Sequence, residues 1–320
     1  MRAYQITEAG TPPTLGEIAD PTPQTGEILL DIQACGLNFA DLLMVKGTYQ
    51  DTPPAPFTLG MEVAGTVLAL GPETNGPPVG ARVAVFAGQG GLAERGVFPA
   101  ERAVVIPDAM TFEHAAAFQI AYGTAHLGLE HRARLKTGER LLVLGAAGGV
   151  GLPAIEIGKL MGAEVIACAR GADKLEVCKA AGADHLINAE TDDIREVCKS
   201  LGGLDVVYDP VGGDQFKAAL RACNPEARLL PLGFASGEVP QIPANHLLVK
   251  NLDVLGFYWG GYLKFRPEVL TDSLRRLLHW YEEGKITPHV SATYPLDQAG
   301  DALEFLRARK STGKVVVTPH

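Results

Sequence analysis

The sequence predicts an α/β chain in which a β-rich part adjoins a doubly wound parallel sheet, and three observations carry that expectation. Of 320 residues, 47% are apolar, enough to bury a substantial core and to fill two domains of ordinary size. Residues up to about Ala121 are dense in Gly and Pro and break into short apolar runs. From Glu139 onward, apolar strands alternate with helical patterns several times over, the signature of a parallel sheet wrapped by helices.

In the first part, "EILLDI" (Glu27 to Ile32), "VAGTVLAL" (Val63 to Leu70) and "GARVAVF" (Gly80 to Phe86) read as short strands, and the turn residues between them suggest a partly closed sheet. In the second part the strands are "RLLVLG", "AEVIACA", "DHLIN", "LDVVYD", "ARLLPLG" and "LDVLGFY", interleaved with helical stretches such as "ADKLEVCKAAG" and "DIREVCKSLG". After Gly260 come a long amphipathic helix around "PEVLTDSLRRLLHWYEEG", the strand "HVSATYPL", another helix and the closing strand "GKVVVT". Two strands without further regular alternation suggest that the tail rejoins the first part. The expected division is therefore 1–121, 122–260 and a return over 261–320.

Charge and composition exclude several classes. A net charge of −9 repels phosphate backbones and anionic membrane surfaces, so no nucleic-acid partner is expected. The N-terminal "MRAYQITEAG" lacks the apolar core of a secretion signal, and the Leu141 to Ile155 tract is too short and glycine-rich to span a bilayer, which predicts a cytoplasmic protein with no membrane partner. Cys35, Cys168, Cys178, Cys198 and Cys223 form an odd set without Cys-x-x-Cys spacing, as expected of reduced, packed thiols.

The stretch "LVLGAAGGVG" (Leu142 to Gly151) ends a strand in glycines exactly where a helix begins. Glycine lets backbone N–H groups approach a phosphate without a Cβ in the way, and the helix N-terminus adds partial positive charge. Ala146 takes the place of the first glycine of the usual dinucleotide pattern, while Gly148 and Gly151 keep the other two. Gly148, Gly149 and Val150 are the candidate phosphate-facing residues; a tight turn that binds nothing is the alternative. The next strand ends in Ala169 and Arg170, with no carboxylate to hold ribose hydroxyls, and Lys174 follows. Arg170 and Lys174 can pair with a 2′-phosphate, so NADPH is expected over NADH, unless both are merely solvated cations. Gly233 and Phe234 follow the fifth strand and Phe257 and Tyr258 the sixth, at the carboxyl ends where doubly wound sheets bind ligands.

Taken with "CGLNFADLLMVKGTY" (Cys35 to Tyr49), "LGMEVAGTV" (Leu59 to Val67), "AYGTAHLGL" (Ala121 to Leu129), "VVYDPVGG" (Val206 to Gly213) and "TGKVVVTP", the chain resembles the zinc-free quinone oxidoreductase group of the medium-chain dehydrogenase/reductase superfamily over nearly its whole length. The resemblance implies a Rossmann domain, a GroES-like catalytic domain and a homodimer joined through the sixth strands. Zinc-dependent relatives carry a cysteine where this chain has Asn38 and a histidine where it has Met61. Cys35 stands three residues out of register, and with Glu62 it makes an incomplete set, so no metal is expected.

Residue roles follow from the matched motifs. Asn38 resembles the residue beside the nicotinamide that orients bound ligand, the alternative being a structural turn. Tyr49 resembles an aromatic at the mouth of the substrate cleft that stacks on a quinone or donates a proton, the alternative being ordinary packing. Thr124 resembles the hydroxyl that contacts the nicotinamide ribose, or else it caps a helix. Lys314 resembles a basic position reaching back to the cofactor, or else it is a surface lysine. Many NADPH-using relatives have a tyrosine after the asparagine of "LINAE", where this chain has Ala189. His126 and His246 lack triad partners in the sequence and are read as structural or solvated.

Without a metal to polarise it, the acceptor must already be electrophilic. The expected activity is NADPH-dependent reduction of a quinone. The alternatives are an enoyl or 2-alkenal reductase and a non-catalytic NADPH-binding redox sensor.

Overall fold

An apolar run becomes a buried central strand when both of its faces can be covered, and Arg140–Leu144 shows this: Leu141, Leu142, Val143 and Leu144 are each 0% exposed. In the computed structural model, which describes residues 1–320, this strand lies at the centre of a six-stranded sheet. The order across the sheet is His185–Asn188, Glu164–Ala169, Arg140–Leu144, Leu204–Asp209, Cys223–Pro231 and Asp253–Val254, all parallel. In chain order this reads 3-2-1-4-5-6, the doubly wound Rossmann order, which reverses at the carboxyl end of Arg140–Leu144. One face is sealed by Ile194, Cys198, Phe216 and Leu220 from the helices Ile194–Ser200 and Gly213–Ala222, packed on Leu142, Ile166 and Val207.

The sixth strand is shorter than "LDVLGFY" suggests. Its pairing covers Asp253–Val254 only, and after one further bond, from Leu255 N–H to the Leu229 carbonyl at 2.8 Å, the chain leaves the sheet at the exposed Gly256.

The chain divides into two units, Met1–Ile120 with Thr287–His320, and Ala121–Ile286. This corrects the expected return at 261: the long helix Pro267–Glu282 belongs to the second unit. The helix buries Leu270, Leu274 and Leu277, and a polar tie that the sequence does not advertise adds to this. His126, 1% exposed in the helix Gln119–His126, places Nδ1 2.8 Å from Ser273 Oγ on the long helix, faces Glu130 with Nε2 at 3.3 Å, and meets the Trp280 ring edge-on. His126 and Ser273 are buried, and burial holds the imidazole below its ordinary pKa. Between these helices, Leu127–Arg132 widens into a π-helical turn, with the Phe257 ring over Gly128.

In the first unit, Glu27–Gly36 alternates inward Ile28, Leu30, Ile32 and Ala34, all 0% exposed, with half-buried residues. It pairs antiparallel with Glu62–Leu70, Arg95–Pro99 and the closing strand Lys314–Thr318. Val290–Pro295 runs parallel to the closing strand, joined to it through the helix Ala299–Arg307. Arg82–Phe86 and Ala103–Val105 complete this sheet, and Thr14–Glu17, Arg2–Ile6 and Phe57–Thr58 form a separate three-stranded one. No helix of the chain is long and apolar enough to cross a membrane.

Gly36 marks the tightest requirement near the site. A Cβ there would lie 2.0 Å from the Ala116 carbonyl oxygen, a backbone atom that cannot swing aside. Gly36→Ala is therefore expected to destabilise the fold by about 2–3 kcal/mol, read as a fall in the urea midpoint. An unchanged midpoint would show that this approach is not fixed.

Candidate active site

Strand register assembles a polar cluster inside the first unit. Gly36 pairs with Glu62 on one side and with Val316 on the other, so the start of Glu62–Leu70, the start of Lys314–Thr318 and Asn38, just past Gly36, converge. Lys314 Nζ donates to Glu62 Oε1 and to Asn38 Oδ1, both at 2.7 Å. Asn38 Nδ2 donates to Glu62 Oε1 at 3.0 Å and to the Gly36 carbonyl at 3.2 Å. The Ile120 N–H donates to Glu62 Oε2 at 3.0 Å. The Lys314 and Glu62 side chains are 5% and 1% exposed, so the pair is a buried one, and Lys314 is not the surface lysine of the alternative reading.

Asn38 sits at the N-cap of the helix Phe39–Val45, with its side chain turned to the ion pair and away from capping. Its backbone is fixed instead by Asp41, whose Oδ2 accepts the Asn38 N–H at 2.8 Å and whose Oδ1 accepts the Gly60 N–H at 3.3 Å. Asp41 is fully buried, and desolvation pushes its carboxyl from 3.8 up to about 7 against the pull of those two bonds and of Lys314. Cys35 is enclosed by glycines: a Cβ at Gly60 or Gly91 would lie 2.6 or 2.7 Å from its sulfur. Burial, with Asp41 and Glu62 nearby, drives that thiol well above its ordinary pKa.

These donors do not fit zinc. The Glu62 carboxylate is taken by an ammonium and a backbone amide, and Asn38 and Met61 stand where thiolate and imidazole would be needed. No group of three His, Cys, Asp or Glu side chains in the chain is placed to hold a metal. Tyr49 lies beyond the Phe39–Val45 helix, half-buried in a turn that accepts the Thr52 hydroxyl proton at its carbonyl.

The second unit carries the remaining candidates at the carboxyl ends of its strands. Gly145 turns with φ +58°, and the Ala146 N–H is held by the Cys168 carbonyl at 3.0 Å. A Cβ on Gly151 would lie 2.5 Å from the Ala146 carbonyl oxygen, so only glycine lets the helix Gly151–Leu160 start this close to the turn. That helix has no side-chain cap, and Gly148, Gly149 and Val150 stand half-exposed at its mouth, a cradle suited to a pyrophosphate.

Arg170 is exposed immediately after Glu164–Ala169, and Lys174 lies in the first turn of the helix Ala172–Ala180. Asn188 Oδ1 fixes the turn between them by accepting the Gly171 N–H at 3.2 Å. Gly233 and the exposed Phe234 ride on the Pro210–Gly212 loop: Ala235 N–H donates to the Pro210 carbonyl at 3.1 Å, and a Cβ on Gly212 would meet the Phe234 ring at 3.1 Å. Thr124 lies inside the helix Gln119–His126, half-buried, which excludes the capping alternative. Phe257 spends its ring on Gly128 and Tyr262, whereas Tyr258 is 39% exposed.

Sequence reasoning missed Glu62 as the hub, treating it only as a leftover metal ligand. The Asn-x-x-Asp spacing of Asn38 and Asp41 was a legible capping signal. Because the folded Asp41 carboxyl titrates above the unfolded one, its contribution to stability is fully present below about pH 4 and is lost as pH rises through 7. Between pH 5 and pH 8 the unfolding free energy of the native chain is expected to fall relative to that of Asp41→Asn by on the order of 2 kcal/mol, measured by urea titration. A constant difference would show that Asp41 titrates normally.

Residues 24–108 match the alcohol dehydrogenase GroES-like domain family, and residues 149–278 match the zinc-binding dehydrogenase family. A quinone oxidoreductase-like protein 2 homolog of Nematostella vectensis is 38% identical, over 99% of this chain and 88% of its own length. Among solved structures, the quinone oxidoreductase of Thermus thermophilus, solved alone and with NADPH, is 34% identical with a TM-score of 0.88, covering 99% of this chain and 100% of that one. The CurK enoyl reductase is 27% identical with a TM-score of 0.88, covering 99% and 98%. The strand order, the glycine turn and these likenesses agree: the chain belongs to the medium-chain dehydrogenase/reductase family, as a quinone oxidoreductase-like oxidoreductase with a GroES-like domain and a Rossmann domain.

Proposed function

We propose that the protein is a zinc-independent, NADPH-dependent quinone reductase, working in the cytoplasm as a homodimer. The observation that carries the reading is the Lys314 ammonium on the Glu62 carboxylate: the position where a metal would polarise a substrate is closed by a fixed organic cation. An acceptor reduced there must already be electrophilic, as a quinone is. The NADPH complex of the Thermus relative supports the choice of cofactor, as does the lack of a carboxylate at Arg170.

When bound, the reduced nicotinamide supplies the hydride. The chain's own residues bind and orient. Gly148, Gly149 and Val150 hold the pyrophosphate at the uncapped helix, Arg170 and Lys174 pair with the 2′-phosphate, and Gly233, Phe234 and Tyr258 border the nucleotide at the strand ends. Thr124 offers a hydroxyl to the ribose, and Phe257 stiffens the segment that carries Tyr258. Asn38 and Lys314 orient the reacting end of the ligand, with Tyr49 as an aromatic contact for the acceptor ring.

The likeness to CurK favours one second reading, an enoyl or 2-alkenal reductase, because a conjugated enone accepts hydride in the same geometry. The exposed Leu248 and Val249, close in sequence to the edge strand Asp253–Val254, support self-association, which sedimentation velocity checks directly: a single monomeric species would refute the dimer.

A matrix of NADPH and NADH against quinones, enones and enoyl thioesters tests the activity. NADPH with quinones is expected to give the highest kcat/KM; a preference for enoyl substrates would select the second reading, and no turnover with any acceptor would refute both. Arg170→Ala is expected to weaken NADPH binding about 10- to 100-fold while leaving NADH affinity unchanged, read by fluorescence titration. Equal losses for both nucleotides would refute the 2′-phosphate assignment.

A further inference from the structure

The polar cluster of the first unit constrains its own hydrogen-bonding capacity. An ammonium can only donate and an ionised carboxylate can only accept, so the Asn38 carboxamide between them has one orientation, Oδ1 toward Lys314 at 2.7 Å and Nδ2 toward Glu62 at 3.0 Å. Its other Nδ2 hydrogen goes to the Gly36 carbonyl at 3.2 Å. Both amide hydrogens are thereby committed. What Asn38, the half-buried member of the set, retains is an acceptor lone pair on Oδ1, next to a positive charge.

Glu62 enforces this arrangement. Its Oε1 receives both Lys314 Nζ and Asn38 Nδ2, and its Oε2 is anchored by the Ile120 N–H, so the carboxylate cannot rotate without breaking three bonds. We propose that Glu62 is a positioning residue: it fixes Asn38 as a pure hydrogen-bond acceptor, which selects a ligand group that brings a hydroxyl donor. This rests on the reductase reading above, in which two hydroxyl sources exist, a ribose of the nucleotide and the hydroxyl of the reduced acceptor. A carbonyl oxygen has no donor for Asn38, so the oxidised quinone gains nothing from this contact and its hydroquinone does.

The test begins with the ¹⁵N-labelled native protein without ligand. The Asn38 side-chain amide, assigned by its loss in Asn38→Asp, is expected to show two inequivalent protons exchanging slowly with solvent. Glu62→Gln is expected to abolish that protection, and Glu62→Asp, which keeps the charge but withdraws it by one methylene, to reduce it; the second variant serves if the first does not fold. NADPH affinity and inhibition by a hydroquinone are then measured on the folded variants. A loss of about tenfold in one of them supports the proposal and names the source, the nucleotide in the first case and the reduced acceptor in the second.

Rapid exchange of the native Asn38 amide, or both affinities staying within about twofold of native, would overturn the proposal. Failure of the native chain to bind NADPH would overturn the reductase reading on which it stands, and it is told apart because it is measured without any substitution.

Discussion

A single buried ammonium organises the first unit. Lys314 and Glu62 are 252 residues apart in sequence, yet their side chains meet at 2.7 Å with almost no exposure to water. Desolvating two charges is expensive, and their attraction repays it only when the remaining donors and acceptors are satisfied. Here both carboxylate oxygens and two of the three ammonium protons are engaged: Asn38 and the Ile120 amide take up the carboxylate, and Asn38 Oδ1 takes a second ammonium proton. The pair also records the topology, because Lys314 opens the strand that closes the sheet and Glu62 opens the strand on the far side of Glu27–Gly36.

Around that pair, the backbone is shaped to admit it. Gly36 lets the central strand press against the Ala116 carbonyl, and Gly60 and Gly91 close over the Cys35 sulfur. Asp41 holds the Asn38 and Gly60 amides from beneath. Asp41 thus acts on Asn38 through its backbone, and Lys314 and Glu62 act on its carboxamide. The second unit is built by different means, a glycine turn that leads into a helix without a side-chain cap, the arrangement on which the proposed pyrophosphate site rests.

The fold was largely legible because its signals are local. Six apolar runs separated by helical patterns name a doubly wound sheet, and the glycines after Leu144 mark the turn from its central strand into a helix. Two errors of extent have physical causes. The helix Pro267–Glu282 is amphipathic whichever unit it joins, and the polar contact that ties it to the second unit, His126 to Ser273, spans 147 residues. "LDVLGFY" is apolar apart from Asp253, but only two of its residues pair, because Gly256 releases the chain. In the site, Asn38 and Lys314 were found through their motifs. Glu62 was passed over because its meaning lies in partners distant in sequence, and no spacing rule connects it to Lys314.

The account depends on the Lys314–Glu62 pair acting as one unit, and a double-mutant cycle in unfolding free energy measures that most directly. Lys314→Met and Glu62→Gln singly are each expected to cost about 3–5 kcal/mol, since each strands a buried charge, and the double variant is expected to cost clearly less than their sum. Single losses that add to within about 0.5 kcal/mol would show that the two side chains are independent and would contradict the account.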